Sequence, residues 1–261
     1  MKRLLLFCSF IALFAININS QEIVLNGTFQ GDNLFVKNPF SPSGVGFCVY
    51  EVNVNGLTST DEINSSAFEI DLSVYGFQVG EEVTVSIKYK ENCLPIVLNP
   101  EVLNARATFE ITKLEVTDGK VKWATIKEAG RLPYVVEQFR WNKWIEVGRV
   151  SGKGIVAECF YDTPVRIHSG ENRFRVKQTD YRGKARYSDE ITVSSEKPVV
   201  TYAPARVDDE LVFSANTMYE IYDEYGGIVF KGFGDKIKVG SLQKGKYYLN
   251  YDNDLGTFVK K

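Results

Sequence analysis

Apolar residues in this chain recur at every second position, in short runs punctuated by Gly, Asn, Asp and Pro. That period sends successive side chains to opposite faces of a strand. A sheet built this way leaves one apolar face in water unless a second sheet covers it. The pattern therefore predicts an all-β chain of tandem antiparallel β-sandwiches, and helical periodicity is almost absent. Phe47–Val54 reads as a long strand closed by the turn Asn55-Gly56. Ala67–Leu72 alternates cleanly, and Glu82–Tyr89 places Val83, Val85 and Ile87 on one face.

The 261 residues allow two domains of ordinary size, or three small β modules. Hydrophobic residues are 44% and charged residues 25%, which excludes a disordered chain. A net charge of -2 gives no reason to expect nucleic-acid binding by the whole chain. The sole histidine, His168, leaves no room for a multi-histidine metal site. It is read as a surface turn residue before a strand. Gly-x-Ser-x-Gly is missing, as are paired short-spaced cysteines and a Gly-rich phosphate loop. No catalytic residue, metal or cofactor is implied.

Met1–Ser20 reads as a secretory signal: Lys2 and Arg3, an apolar run from Leu4 to Ala15, then small and polar residues before a cut near Ser20-Gln21. The apolar run is shorter than the about 20 residues a membrane span requires, and no later stretch is apolar enough for one. A lipid anchor on Cys8 is disfavoured. Export permits a disulfide. Cys48 and Cys93 fall in one module and are the candidate pair, while Cys159 is read as a buried thiol.

Three modules follow the signal, at 21–108, 109–197 and 198–261. The order of strands and turns in the first resembles the small transthyretin-like, or Ig-like, sandwiches of cell-surface proteins. The second carries Val121-Lys122-Trp123, Tyr134–Phe139, Trp144–Val150, Phe174–Asp180 and Tyr187-Ser188. These resemble the strands of a fibronectin type III domain, in the version found beside type IX sorting domains. Arg173-Phe174-Arg175 departs from the usual paired tyrosines, keeping one aromatic inward and adding outward charge. Ser194–Pro198 is the expected linker.

In the third module, Tyr219–Asp223, Tyr225–Val229, Ile237–Val239, Lys244–Leu249 and Phe258–Lys261 resemble the C-terminal sorting domain of the type IX secretion system. Tyr202-Ala203-Pro204-Ala205 stands where that domain usually opens with Tyr-Pro-Asn-Pro. The resemblance implies a bacterial, exported protein at the cell surface or outer membrane, with the type IX translocon and sortase as partners. It leaves two fates open. The domain is removed and the cargo attached to lipopolysaccharide, or it stays on, as in accessory components of the translocon or gliding machinery. A carbohydrate-active enzyme is a third reading, set against a non-enzymatic protein that works by binding or structure.

Charge is uneven: the modules carry -7, +4 and -1 in order. An acidic module and a basic one are suited to docking on each other or on separate partners. Arg173, Arg175 and Lys177 alternate with Phe174 and Val176, so one sheet face holds all three cations, and Arg182, Lys184 and Arg186 extend them. This stripe is a candidate site for lipopolysaccharide or another anionic surface partner. Trp141 and Trp144 flank an expected turn at Asn142-Lys143. Trp141 is the candidate exposed binding aromatic, Trp144 is expected to point inward, and Trp123 is read as core.

Overall fold

The structure, a computed structural model, describes residues 21–261. Met1–Ser20, read as the export signal, and Cys8 with it lie outside the described residues. What is described is all-β, built of several antiparallel sheets, with two short 3-10 turns at Leu72–Tyr75 and Pro100–Leu103. By contact the chain forms two compact units. The first comprises residues up to Gly27, Gly31–Gly76 and Val83–Val102; the second comprises Thr28–Gln30, Phe77–Glu82 and Leu103–Lys261.

The N-terminal strands are β1 (Gln21–Thr28), β2 (Leu34–Lys37), β3 (Val49–Val54), β4 (Leu57–Thr58), β5 (Ala67–Ile70), β6 (Glu82–Tyr89) and β7 (Ile96–Val97). They form one sheet of order β1-β6-β3-β4 and another of order β5-β2-β7. Val83, Val85 and Ile87 are buried on one face of β6, as alternation requires, together with Val52, Val54, Leu34, Val36 and Ile70. A disulfide joins Cys48 to Cys93, with Cα atoms 5.6 Å apart.

The next strands are β8 (Glu110–Thr117), β9 (Lys120–Ile126), β10 (Pro133–Arg140), β11 (Lys143–Ser151), β12 (Cys159–Pro164), β13 (Gly170–Thr179), β14 (Ala185–Tyr187) and β15 (Ile191–Ser195). A β12-β9-β8 sheet faces a β11-β10-β13-β14 sheet, in which β15 also pairs with β13. Between them Trp123, Tyr134, Val136, Tyr161, Phe174 and Val176 close one core. Trp123 stacks on Tyr161 with ring centroids 5.4 Å apart. Cys159 is a free, buried thiol, and burial pushes its pKa up, which removes the thiolate a reactive cysteine needs.

The remaining strands are β16 (Tyr202–Ala203), β17 (Arg206–Val207), β18 (Glu210–Tyr222), β19 (Ile228–Lys238), β20 (Gly245–Tyr251) and β21 (Asp254–Lys260). They close a second core around Leu211, Phe213, Ile221, Leu249 and Phe258. The β17–β21 pair is parallel, a departure from the antiparallel pattern expected throughout. Both cores belong to one compact unit. The expected linker shrinks, because Ser194 and Ser195 pair with Glu171 and Gly170 inside the sheet. Only Glu196–Val199 connects the two cores, and Val200 is already buried in the second.

Candidate functional site

The cationic stripe is present but largely neutralised from within. Arg173, Arg175 and Lys177 do share the outer face of β13. Opposite them β10 supplies Glu137, in register with Arg175. Glu137 accepts from Arg175 at 2.7 Å and from Lys177 at 3.2 Å. Glu190 accepts from Arg173 at 2.5 Å. The guanidinium of Arg175 is also held between two rings, 4.1 Å from the centre of Trp144 and 4.2 Å from that of Tyr187. Arg173 lies 4.7 Å from the Phe139 ring. Each such stack contributes about 0.5–2 kcal/mol. This ladder of rings and cations stiffens the sheet and leaves little charge for an external anion. Glu137→Ala is expected to release Arg175 and Lys177, raising the salt needed to elute the protein from heparin while lowering stability by about 1–3 kcal/mol. Unchanged elution would show that the pairs do not mask the cations.

Trp144 is thus half-exposed on the outer face, not inward. Trp141 is only 8% exposed, so it is not an exposed binding aromatic. The turn explains both corrections. Trp141 and Asn142 occupy its two central positions with φ of 52° and 60°, the doubly left-handed geometry of a tight hairpin. Lys143 therefore begins β11 rather than sitting in the turn, and Trp144 pairs with Phe139.

Of the six cations, the turn after β13 holds the two left without an ion pair or an internal carbonyl partner among the described residues. Arg182 donates to the Tyr181 hydroxyl at 2.8 Å and meets no carboxylate among the described residues, and Lys184 is exposed. Asp180 Oδ1 accepts from the backbone N–H groups of Arg182 and Lys184, both at 2.9 Å, which fixes the turn. Arg186 is spent internally, donating to the Phe109 carbonyl at 2.7 Å.

A cluster that the residue pattern did not single out sits where the two cores of the second unit meet. Arg140 is 2% exposed, Asp252 3% and His168 3%. Arg140 donates to Gln138 Oε1 at 2.8 Å, to the Asp252 carbonyl at 2.9 Å and to the Arg166 carbonyl at 2.7 Å. The Asp252 carboxylate accepts from the Ser169 hydroxyl, from the Ser169 N–H at 3.2 Å and from the Val200 N–H at 3.4 Å. Burial pulls the Arg140 guanidinium down to about 10 against the opposing pull of Asp252, so it stays charged at neutral pH. Beside this cluster, Lys143 donates to Glu220 at 2.6 Å and to the Tyr222 hydroxyl at 2.8 Å. Burial works against both charges of that pair, yet these hydrogen bonds outweigh it, raising the lysine and lowering the glutamate.

His168 is buried at this junction, not in a surface turn, because its loop is tied to Asn172 and, through Ser169, to Asp252. One ring nitrogen lies 2.6 Å from the Ser169 carbonyl. Burial lowers its pKa, with Arg140 adding to the fall and the Ser169 carbonyl and Asp252 opposing it. A folded-state value below the unfolded value near 6.5 gives stability that is present above about pH 6.5 and is lost as pH falls through the folded value. Thermal midpoints should therefore drop between about pH 7.5 and about 5.5. His168→Gln should flatten that part of the profile; an unchanged slope would count against the assignment.

A second buried carboxylate, Glu128, accepts from Thr125 at 2.5 Å, Tyr161 at 2.7 Å and the Gly154 N–H at 2.8 Å. Gly154 has a φ of 71°, and a Cβ there would lie 2.6 Å from the Arg131 nitrogen, so the loop needs glycine. Holding three donors from the loop and core around it, Glu128 reads as a loop anchor. Among the described residues no group of three or more His, Cys, Asp or Glu is placed to hold a metal ion. None of their helices is long and apolar enough to cross a membrane.

No family model matches the chain, and no curated protein matches it. Among solved structures it is similar to a tetra-tandem repeat from the extending region of a large adhesion protein, at 8% identity and a TM-score of 0.33, covering 93% of this chain and 75% of that one. A β-glucuronidase from Ruminococcus gnavus aligns at 11% identity and a TM-score of 0.20, over 74% of this chain and 38% of the enzyme. The mouse nectin-like molecule 4 ectodomain aligns at 12% identity and a TM-score of 0.21, over 92% of each chain. At these scores none of them bears on what this chain does.

Proposed function

We propose that the chain is an exported, non-enzymatic surface protein that works by binding, delivered by the type IX route, and that its third module stays attached to the second. The observation that supports retention is the buried contact of Arg140 and Asp252 between the two cores. A protease or sortase must draw out an extended segment. The connection offers four residues, about 14 Å of chain, and Lys197 within it donates to the Ile167 carbonyl at 3.1 Å. A cut there would still leave two modules joined by a desolvated polar junction. Such retention suits an accessory component of the translocon or gliding machinery better than cargo released onto lipopolysaccharide.

The experiment is terminal-peptide mass spectrometry of the protein recovered from the surface of a type IX-competent host, with a translocon-deficient strain as control. Peptides ending at Lys261 on surface-exposed chains, absent from the surface of the control, are the expected result. A chain ending near residue 197 with a glycolipid attached would overturn retention. Equal surface display in both strains would overturn the route.

A further inference from the structure

The sheet of order β5-β2-β7 ends on β7, whose outer side pairs with no strand among the described residues. Along this segment Cys93 and Pro95 are buried, while Leu94, Ile96 and Leu98 are 63%, 51% and 58% exposed. The Phe35 carbonyl accepts the Leu98 N–H at 2.8 Å, and Phe35 is itself 46% exposed. Residues opposite each other in such a pair share a face, so the four apolar side chains make one stripe, with Lys37 opposite Ile96. Scattered exposed leucines need no explanation, but a contiguous stripe on a sheet edge does.

Three carboxylates border it, with the exposed Lys37 on the same face. Glu69 lies opposite Phe35, and Glu91 and Glu101 flank the stripe along the chain. The module around it carries -7 and the next module +4. In that basic module most cations of the candidate stripe are engaged, and the exposed exception is the turn Tyr181–Lys184. There Tyr181 presents a ring with Arg182 stacked 5.2 Å from its centre. Tyr and Arg are the residue types that most often anchor protein interfaces. A ring for the apolar stripe and two cations that no carboxylate pairs among the described residues, for its carboxylate border, make a complementary pair of surfaces.

We propose that the Leu94, Ile96 and Leu98 stripe docks the Tyr181–Lys184 turn of a second copy of this chain. The two surfaces differ, so the contact is head to tail and each copy keeps one free surface of each kind. The test is sedimentation of the purified full-length protein over a range of concentrations. At low salt, growth past the dimer is expected; at roughly 1 M salt, where charges are screened beyond about 3 Å, it should weaken. Ile96→Lys, and separately the double change Arg182→Glu with Lys184→Glu, should each weaken association by about tenfold or more. All three positions are exposed, so folding should survive. An equimolar mixture of the two variants restores one good contact and should stop at a heterodimer. A monomer at every concentration in low salt would overturn the proposal. So would a mixture that stays monomeric. So would association lost with Ile96→Lys but untouched by the charge reversal, since that would mean the stripe pairs with itself.

Discussion

Arg140→Ala should lower the stability of the second unit by about 3–5 kcal/mol, the usual result of removing one partner from a buried charge cluster. Gln138 Oε1 and the Asp252 carbonyl lose their donor, and the Arg166 carbonyl is left with Gln138 Nε2 alone, at 3.2 Å. The Asp252 carboxylate also loses the cation beside it while remaining buried. Because the cluster lies between the two cores, the loss should appear as uncoupling as well. Chemical denaturation is expected to show one transition for the intact second unit and two for the variant, one per core. Asp252→Asn keeps the shape and the backbone carbonyl that Arg140 uses, so it should cost less, about 1–3 kcal/mol. A loss below about 1 kcal/mol with a single unsplit transition would mean that the cluster does not couple the cores.

The sandwiches were legible because period-two alternation has few other physical solutions. Val83, Val85 and Ile87 face inward as read, and so do Trp123, Tyr134, Val136 and Phe174. The junction was legible only in part. On β10 the inward face runs Tyr134, Val136, Gln138, Arg140, and on β13 it runs Asn172, Phe174, Val176, Gln178, all of them buried. On β10 the inward face turns from apolar to polar at the Arg140 end, which marks a place where the core stops and another buried surface begins; β13 is polar at both ends, with Gln178 opposite Tyr134. That signal was available, but a strand's face shows only what is inward, not what covers it. Asp252 carries no such signal, being fixed by a turn beyond β20. The tryptophans were misplaced for a related reason. A side chain shares its face with the residue paired to it across the hairpin, and Phe139, the partner of Trp144, lies on the outward side of β10. The turn here is Trp141-Asn142, so Trp144 lies outside under Arg175.

The charge pattern shows the same limit. Alternation fixed the face on which Arg173, Arg175 and Lys177 lie. It said nothing about Glu137, which comes from the neighbouring strand and makes two ion pairs with them. Partners across a sheet are set by register, and register is a tertiary property. The cations left without a carboxylate among the described residues are those in a turn, beside no neighbouring strand. That is why a reading of this surface as an anion-binding stripe contracts to Arg182 and Lys184, and why the binding surface worth testing is a short turn rather than a sheet face.

Replacing both Cys48 and Cys93 by Ser should cost the first unit about 4 kcal/mol. The two residues are 45 apart in sequence, and the entropy of closing a loop of that length in the unfolded chain gives a value of this size. The local structure gives the loss a specific form. Cys48 sits beside the β3 entry, where its N–H donates to the Pro39 carbonyl at 2.9 Å, and Cys93 lies just before the stripe that ends in β7. Both side chains are buried, so the serines would also place two hydroxyls among apolar neighbours. β7 has only two residues and one neighbouring strand, and without the crosslink it should be the first element to loosen. Hydrogen exchange should therefore rise at Ile96 and Leu98 before it rises in β6, and the thermal midpoint of the first unit should fall by many degrees. The second unit, whose only cysteine is the free Cys159, should keep its midpoint. Reductant added to the unmodified protein should reproduce the shift. Equal midpoints with and without the crosslink would mean that the bond contributes nothing to this fold.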